Sequence, residues 1–478
     1  MIARVTRRPR KKRIVILGGG FGGVYAAMHL EKLLARQHAV EICLVSRDNF
    51  FLFTPMLHEI AASDLEITNI INPLRKLLHK VEVLVGDVNE IDLPNKRVLI
   101  SRGYRNSSQQ VDYDHLVIAL GSITNFYNLT GLSELALAMK SLPDAIRLRA
   151  RVLRHLEDAN SESNSIDRQS LLTFVVAGGG FAGVETVAAL NDFVREALPF
   201  YPNLCEEMLR VMLVHSGSVI LPELGESLGR YTQKVLARRG VEIRFNTRVK
   251  SMTEENVSLV DGLSIPTRNL VWTAGAVPSP LIFSVPCQKE QGRLLVNQFL
   301  QVPDWPNVWA VGDCAFVPDI RNPGKSHPRT AQHAIREGKI VAQNIAAVLL
   351  RRPLRSFSFK TIGLLASIGR RMGVARIFGF NFSGFFAWWM WRTVYLSKLP
   401  GLDKKFRVAF DWTLDLLFPK DVCAVYDFDH RRDFDRQDHA RNTLWNNREY
   451  QVTARQPLQL TMGNGLTRTD LLRAERYG

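Results

Sequence analysis

Arg13-Ile14-Val15-Ile16-Leu17-Gly18-Gly19-Gly20-Phe21-Gly22-Gly23 carries an apolar run straight into glycines spaced G-x-G-x-x-G. The run reads as a buried strand, and the glycines as the turn that delivers the chain into a helix. Gly18 permits a tight turn, Gly20 lets the backbone approach a pyrophosphate, and Gly23 lets helix and strand pack closely. The helix N-terminus then offers free N–H groups and a positive dipole end to phosphate. One such fingerprint is weak evidence, but this one recurs. Thr173-Phe174-Val175-Val176-Ala177-Gly178-Gly179-Gly180-Phe181-Ala182-Gly183 repeats the pattern, with Gly178, Gly180 and Gly183 in the same three places. Two copies at domain-sized separation predict an α/β chain of two Rossmann-type units holding two dinucleotides.

Working outward, helical spacing runs from Val24 to Arg36, and Val40–Val45 reads as the second strand. Leu52-Phe53-Thr54-Pro55 opens a loop, and Pro73–Leu78 reads as a short helix. Val81–Val85, Arg97–Ile100 and His115–Ile118 read as strands, the last closing in Ala119-Leu120-Gly121-Ser122. Asp144 is placed to N-cap a helix through His155, with polar Glu157–Ser170 as a linker or surface loop. The second unit gives a helix over Val184–Ala197 and strands at Val211–His215, Glu242–Phe245 and Asn269–Thr273, the last closing in Ala274-Gly275. Val308-Trp309-Ala310-Val311-Gly312-Asp313 again ends a strand in a Gly-Asp turn, which implies one domain split around another.

The 478 residues allow two or three domains with full cores, and 46% hydrophobic content describes a globular chain. The net charge of +16 is localised. Residues 4–13 hold seven Lys/Arg and no acid; residues 351–420 hold thirteen against Asp403, Asp411 and Asp415. A basic patch of this kind is addressed to anionic lipid or nucleic acid. The basic start before the apolar run looks superficially like a twin-arginine secretory signal, but the glycine-rich stretch reads better as a Rossmann strand and helix. Cys43, Cys205, Cys287, Cys314 and Cys423 are scattered, with no C-x-x-C or C-x4-C spacing. That argues against a disulfide framework, a metal site and a dithiol redox centre, and favours a reducing, cytosol-facing location.

Together these motifs resemble the two-dinucleotide flavoprotein oxidoreductases, most closely the type II NADH dehydrogenases (NADH:quinone oxidoreductases), over about residues 13–425. The resemblance implies that the first fingerprint binds FAD, the second binds NADH, and Gly312-Asp313 holds the flavin ribityl chain. A carboxylate at Asp313 suits ribityl hydroxyls as a strong acceptor. Leu52-Phe53-Thr54-Pro55-Met56-Leu57 resembles the family's loop beside the flavin, which brings in Thr54. Thr330-Ala331-Gln332-His333-Ala334-Ile335-Arg336-Glu337-Gly338 resembles its A-Q-x-A-x-Q-x-G helix start, where flavin and quinone meet. There Ala331 begins a helix whose dipole favours negative charge on the reduced ring, and Gln332 can hydrogen-bond a quinone or flavin carbonyl. The family's second Gln is Arg336 here. Glu185, read as lying in the first turn of the second nucleotide-binding helix, matches a family Glu near the nicotinamide and suits positioning or proton handling. Gly121 and Gly275, which close the two units, complete the cofactor contacts.

Two departures stand out. The acid expected after the second strand, for an adenosine ribose, is replaced by Ser46 in the first unit and by His215 in the second. Ser46 can still bond a hydroxyl, and Arg47 can reach phosphate. His215 removes the usual repulsion against a 2′-phosphate, so NADPH is admitted beside NADH, although no arginine motif calls for it. Further on, Ile377–Trp391 is rich in Phe and Trp and lies between Arg376 and Arg392, fifteen residues against the ~20 needed to span a bilayer. Aromatics flanked by cations suit an interfacial anchor; the competing reading packs them on the protein's own body or a dimer interface.

The organisation expected is a basic arm (1–12), the first part of an FAD-binding domain (13–143), a connecting helix and linker (144–170) and an NAD(P)H-binding domain (171–285). The second part of the FAD-binding domain (286–350), a membrane-associating helical region (351–425) and a polar, mobile tail (426–478) follow. The function this implies is hydride transfer from NAD(P)H to FAD and then two electrons to a membrane quinone, without proton pumping. The protein would be peripheral to the membrane, and a homodimer is admitted. The alternatives are another NAD(P)H-dependent flavoprotein reductase, or a non-catalytic flavoprotein binding nucleic acid through its basic segments. The Trp-rich run speaks against nucleic acid, whose grooves interleave aromatics with polar residues.

Overall fold

The computed structural model describes residues 11–34, 37, 39–103, 106–415, 417–418, 420 and 422–423. The expectations for most of the basic arm and for the polar tail lie outside the described residues. Strand β1 (Lys12–Leu17) runs into helix α1 (Phe21–Leu34), and β2 (Val40–Ser46) returns beside β1. A short helix, α2 (Leu57–Ala61), lies between β2 and β3 (Glu82–Val85), and β4 (His115–Ile118) pairs with the other edge of β1. The six-stranded sheet runs Gln301–Val302, Trp305–Ala310, β4, β1, β2, β3. Trp305–Ala310 joins it in parallel register on β4, so the chain leaves this sheet and comes back to it. Ile14, Val15, Ile16 and Leu17 are all fully buried. Parallel strands covered on both faces read as unbroken apolar runs for that reason.

Helix α3 (Leu142–Ser161) leads to the second sheet. Its strands are β5 (Thr173–Ala177), β6 (Arg210–Val214), β7 (Val241–Arg244) and β8 (Asn269–Trp272), with helix α4 (Phe181–Ala197) following β5. The parallel order is Leu137–Ala138, β8, β5, β6, β7. Two readings of this stretch are corrected. Ser141, not Asp144, is the N-cap of α3: the Ser141 side chain accepts from Asp144 N–H while the Asp144 carboxylate accepts from Ser141 N–H at 2.7 Å. Asp144 therefore completes a capping box from the third helical position. The polar stretch 157–170 is also largely helical, because α3 continues to Ser161 and a second helix, Ser165–Leu172, starts at the Asn164 cap and buries Leu171 and Leu172. Similarly, the segment read as a loop from Leu52 continues as the 3-10 turn Thr54–Met56 and then α2.

After the return strand, helix α5 (Ala331–Leu349) packs on α1 so closely that a Cβ on Gly338 would lie 2.5 Å from Gly22 O. The last described region was expected to be helical, but it starts with an antiparallel sheet of β9 (Gly363–Ser367), β10 (Gly373–Ile377) and β11 (Phe380–Gly384). Helices α6 (Phe385–Lys398) and α7 (Leu402–Leu414) follow. Among the described residues no helix is long and apolar enough to cross a membrane.

Candidate functional site

The two glycine turns are built alike. Gly18 has φ +112° and Gly178 φ +117°, and an added Cβ would sit 2.2 Å from Ala119 O in the first and 2.6 Å from Thr273 Oγ1 in the second. Gly23 and Gly183 lie against the carbonyls of Gly18 and Gly178, so strand and helix touch through glycine alone. Gly20 and Gly180 face open space, where a phosphate could approach the backbone. No side chain caps α4, which leaves its first N–H groups for a ligand. The shape of both turns fits a dinucleotide pyrophosphate.

Where acids were missing, the replacements hold the turns. Ser46 ends β2 with its Oγ where a Cβ on Gly19 would stand. His215 lies beneath the second turn: Gly179 N–H donates to its Nδ1 at 3.1 Å, which leaves Nε2 as donor to Val219 O at 3.1 Å. Arg47 is exposed and paired with Asp87 at 3.1 Å, and Thr54 is exposed at the start of its 3-10 turn.

Gly121 and Gly312, at φ +66° and +74°, end neighbouring strands of the first sheet. Beside them Ser122 Oγ donates to Asp313 Oδ2 at 2.6 Å, and Lys140 Nζ lies 2.8 Å from Ser122 Oγ and 3.5 Å from Asp313. This partly exposed cluster of hydroxyl, ammonium and carboxylate fits the polyol chain of a flavin. Glu337, not singled out from the sequence, accepts from Gly312 N–H at 2.7 Å and fixes the turn; burial raises its pKa to about 7. Gly275 precedes the strand Ala276–Pro278, which pairs antiparallel with Ser122–Thr124, and its carbonyl accepts from Asn125 N–H at 3.1 Å. Thr330 precedes Ala331 without capping α5; its Oγ1 instead pairs with His333 Nδ1 at 2.7 Å, so the helix end stays available to an anionic ring edge.

Glu185 is in the second turn of α4, which begins at Phe181, and so does not offset the helix dipole as a first-turn acid would. Its carboxyl is buried against the C-terminal region. Oε1 accepts from Ser367 N–H and from Trp391 Nε1–H, each at 3.2 Å, and Oε2 lies 3.9 Å from His58 Nδ1. Burial raises its pKa to about 8, against the opposing effect of those two hydrogen bonds. Burial lowers that of His58 to about 3. Tyr395 packs on Trp391 with ring centres 4.7 Å apart and on Phe53 at 6.2 Å, which joins this pocket to the 52–57 loop. Gln332 is half-buried, and its Nε2 donates to Gly363 O at 3.1 Å. Strand β9 therefore has Gln332 at its first residue and Glu185 at its last. Arg336 stacks over Phe359 at 3.9 Å and donates to Gln332 O at 2.7 Å.

Ser122, Lys140, Ser367, Trp391, Tyr395 and His58 were not assigned roles from the sequence. His58 follows directly on the 52–57 motif, and Trp391 stands in the aromatic run, so both carried a signal. The backbone N–H of Ser367 carried none.

Residues 12–338 match the pyridine nucleotide-disulphide oxidoreductase family, and residues 362–421 match the NDH2 C-terminal domain. The chain is 32% identical to the type II NADH:quinone oxidoreductase Ndh of Mycobacterium tuberculosis, covering 86% of this chain and 89% of that one. It is 32% identical to the demethylphylloquinone reductase NdbB of Synechocystis, covering 84% and 96%. In fold it is similar to NDH2 from Plasmodium falciparum, solved in complex with NADH: TM-score 0.80, 21% identity, 87% of this chain and 100% of that one.

Proposed function

Because the chain belongs to the type II NADH:quinone oxidoreductases, we propose that it passes a hydride from NADH to FAD on the first sheet and two electrons from there to a quinone. Bound FAD supplies the two-electron link between nicotinamide and quinone. The turn at Gly18, Gly20 and Gly23 takes its pyrophosphate, Ser122, Lys140 and Asp313 take its ribityl hydroxyls, and the start of α5 at Ala331 faces its ring. The turn at Gly178, Gly180 and Gly183 takes the NADH pyrophosphate. His215 presents no carboxylate to repel a 2′-phosphate, so NADPH is also admitted. Glu185, neutral at pH 7, holds a proton for the quinone, and Gln332 hydrogen-bonds a quinone carbonyl. The reaction pumps no protons.

The observation that carries this reading is β9, which joins Gln332 to Glu185 through Gly363 O and Ser367 N–H. The catalytic candidates are thus closed over by the C-terminal region, whose outer surface suits a lipid surface. On α7 Leu402, Phe406, Phe410 and Leu414 recur every fourth residue on the exposed side, while Lys404, Val408 and Trp412 face inward. Phe378, Phe380, Phe385, Phe386 and Trp389 are exposed on the neighbouring elements. The aromatic run is therefore divided: Trp388 and Trp391 pack into the body, as in the competing reading, Phe382 is partly buried against the core, and Phe378, Phe380, Phe385, Phe386 and Trp389 face outward. An outward aromatic set with Arg407 and Lys398 nearby supports peripheral docking on the cytosolic face of an anionic membrane. The test is stopped-flow spectroscopy of Glu185→Gln and Gln332→Ala. The first is expected to disturb proton-dependent steps and the second to slow reoxidation by quinone. Parent rates in both variants would remove these residues from the site.

A further inference from the structure

The overall reaction takes up a proton. NADH supplies a hydride, that is two electrons and one proton, while forming a quinol from a quinone consumes two electrons and two protons. One proton per turnover must therefore come from water, yet the Glu185 carboxyl is buried. A second buried carboxyl is linked to it through two neighbouring indoles. Glu59, on α2, is 6% exposed, and Trp412 Nε1–H donates to its two oxygens at 3.2 and 3.4 Å. Glu185 and Glu59 are each tied to one indole, Trp391 and Trp412, whose ring centres are 6.3 Å apart. His58, the residue before Glu59, reaches toward Glu185 with Nδ1, and its buried Nε2 has no hydrogen-bond partner.

On its other side Glu59 adjoins a charged cluster that reaches the surface. Asp64 follows α2, and its N–H donates to Glu59 O at 2.8 Å. Lys420 bridges Asp64 at 2.5 Å and Glu196 of α4 at 3.2 Å, while Arg392 of α6 lies 3.8 Å from Asp415 at the end of α7 and over the rings of Trp388 and Trp412. Asp64, Asp415 and Glu196 keep 18%, 23% and 27% of their side chains exposed. Arg371 acts on both Arg392 and Asp415. Helix α3, which also packs on α2, buries only apolar side chains.

We propose that Glu59 relays the proton for quinone reduction, taking it from the Asp64–Asp415–Glu196–Lys420 cluster and passing it on to Glu185. Glu59 acts through Glu185 and does not touch the substrate; the inference rests on the reading of Glu185 as the proton-holding group. An uncharged carboxyl inside the protein suits this task, since it stores a proton without the cost of burying a charge. Burial raises the Glu59 pKa to about 8, so at pH 7 the store is filled.

The test is Glu59→Gln in the flavin-loaded enzyme with a short-chain soluble quinone. Gln keeps an acceptor for Trp412 and removes the exchangeable proton. Flavin reduction by NADH is expected to keep its rate, reoxidation by quinone to slow on the order of tenfold or more, and formate to restore part of the loss. In the parent an infrared band of protonated carboxyl is expected to titrate near pH 8, and it should lose intensity in the variant. Parent rates with an unchanged pH profile would overturn the relay, as would equal slowing of both half-reactions with no response to formate. A parent enzyme that fails to reduce quinone would instead refute the reading beneath it.

Discussion

Glu185 and Glu59 show what burial does to one kind of side chain. Each has a folded pKa of about 8, raised mainly by loss of water, against an ordinary 4.5. Between those values the folded chain keeps protons that the unfolded chain releases, so stability falls as pH rises and the penalty is complete above about 8. Glu185→Gln, which cannot ionise, should therefore melt close to the parent near pH 5 and progressively above it toward pH 9, by on the order of 4 kcal/mol. Thermal melts across that range check the sign; a difference independent of pH would contradict the buried, protonated acid. Gly18 is the opposite case, where the absence of a side chain matters. Gly18→Ala adds a Cβ 2.2 Å from Ala119 O at φ +112°, a strain of about 1–3 kcal/mol at least. The variant should lose flavin on gel filtration, measured by visible absorbance; full retention would mean that the turn yields without cost. The environment of Glu185 could not be read from the chain. Its partners Ser367 and Trp391 are 182 and 206 residues away, and one of them is a backbone N–H.

Elements were more legible than contacts. The strands of both parallel sheets announce themselves because strands buried on two faces are continuously apolar, and glycine turns mark where each ends. The segments that failed were those in which local chemistry had rivals. Ser141 and Asp144 both suit a helix start, and the capping box uses both. Polar 157–170 lacked an obvious apolar stripe, yet Leu171 and Leu172 anchor its second helix. The aromatic run from 377 to 391 reads as one feature in sequence and divides in space, because a turn, a strand and a helix turn some rings to solvent and others to the core. The outward face of α7 makes a direct test of membrane docking. Phe406→Glu with Phe410→Glu should weaken pelleting with anionic vesicles on the order of a hundredfold while sparing activity with a soluble quinone. Undiminished pelleting would place the anchor elsewhere. Truncation before Ser356 is a poorer probe, since it would remove Ser367 and Trp391 from Glu185.

For the whole molecule, two sheets each present one glycine turn, and the C-terminal region closes over the residues assigned to the quinone. All five cysteines are free thiols. Cys43 and Cys314 are buried, with burial raising both pKa values to about 12, and Cys287 is raised to about 11. None of these three is a thiolate near neutral pH. In the function proposed, electrons pass from flavin to quinone without a sulfur relay, unlike in a dithiol reductase. The most direct measurement is stopped-flow absorbance on the flavin-loaded protein with all five cysteines replaced by alanine. NADH should bleach the flavin, and quinone added next should restore its colour at a rate near that of the parent. Bleaching without recovery, in a variant that remains folded and flavin-loaded, would contradict direct transfer from flavin to quinone.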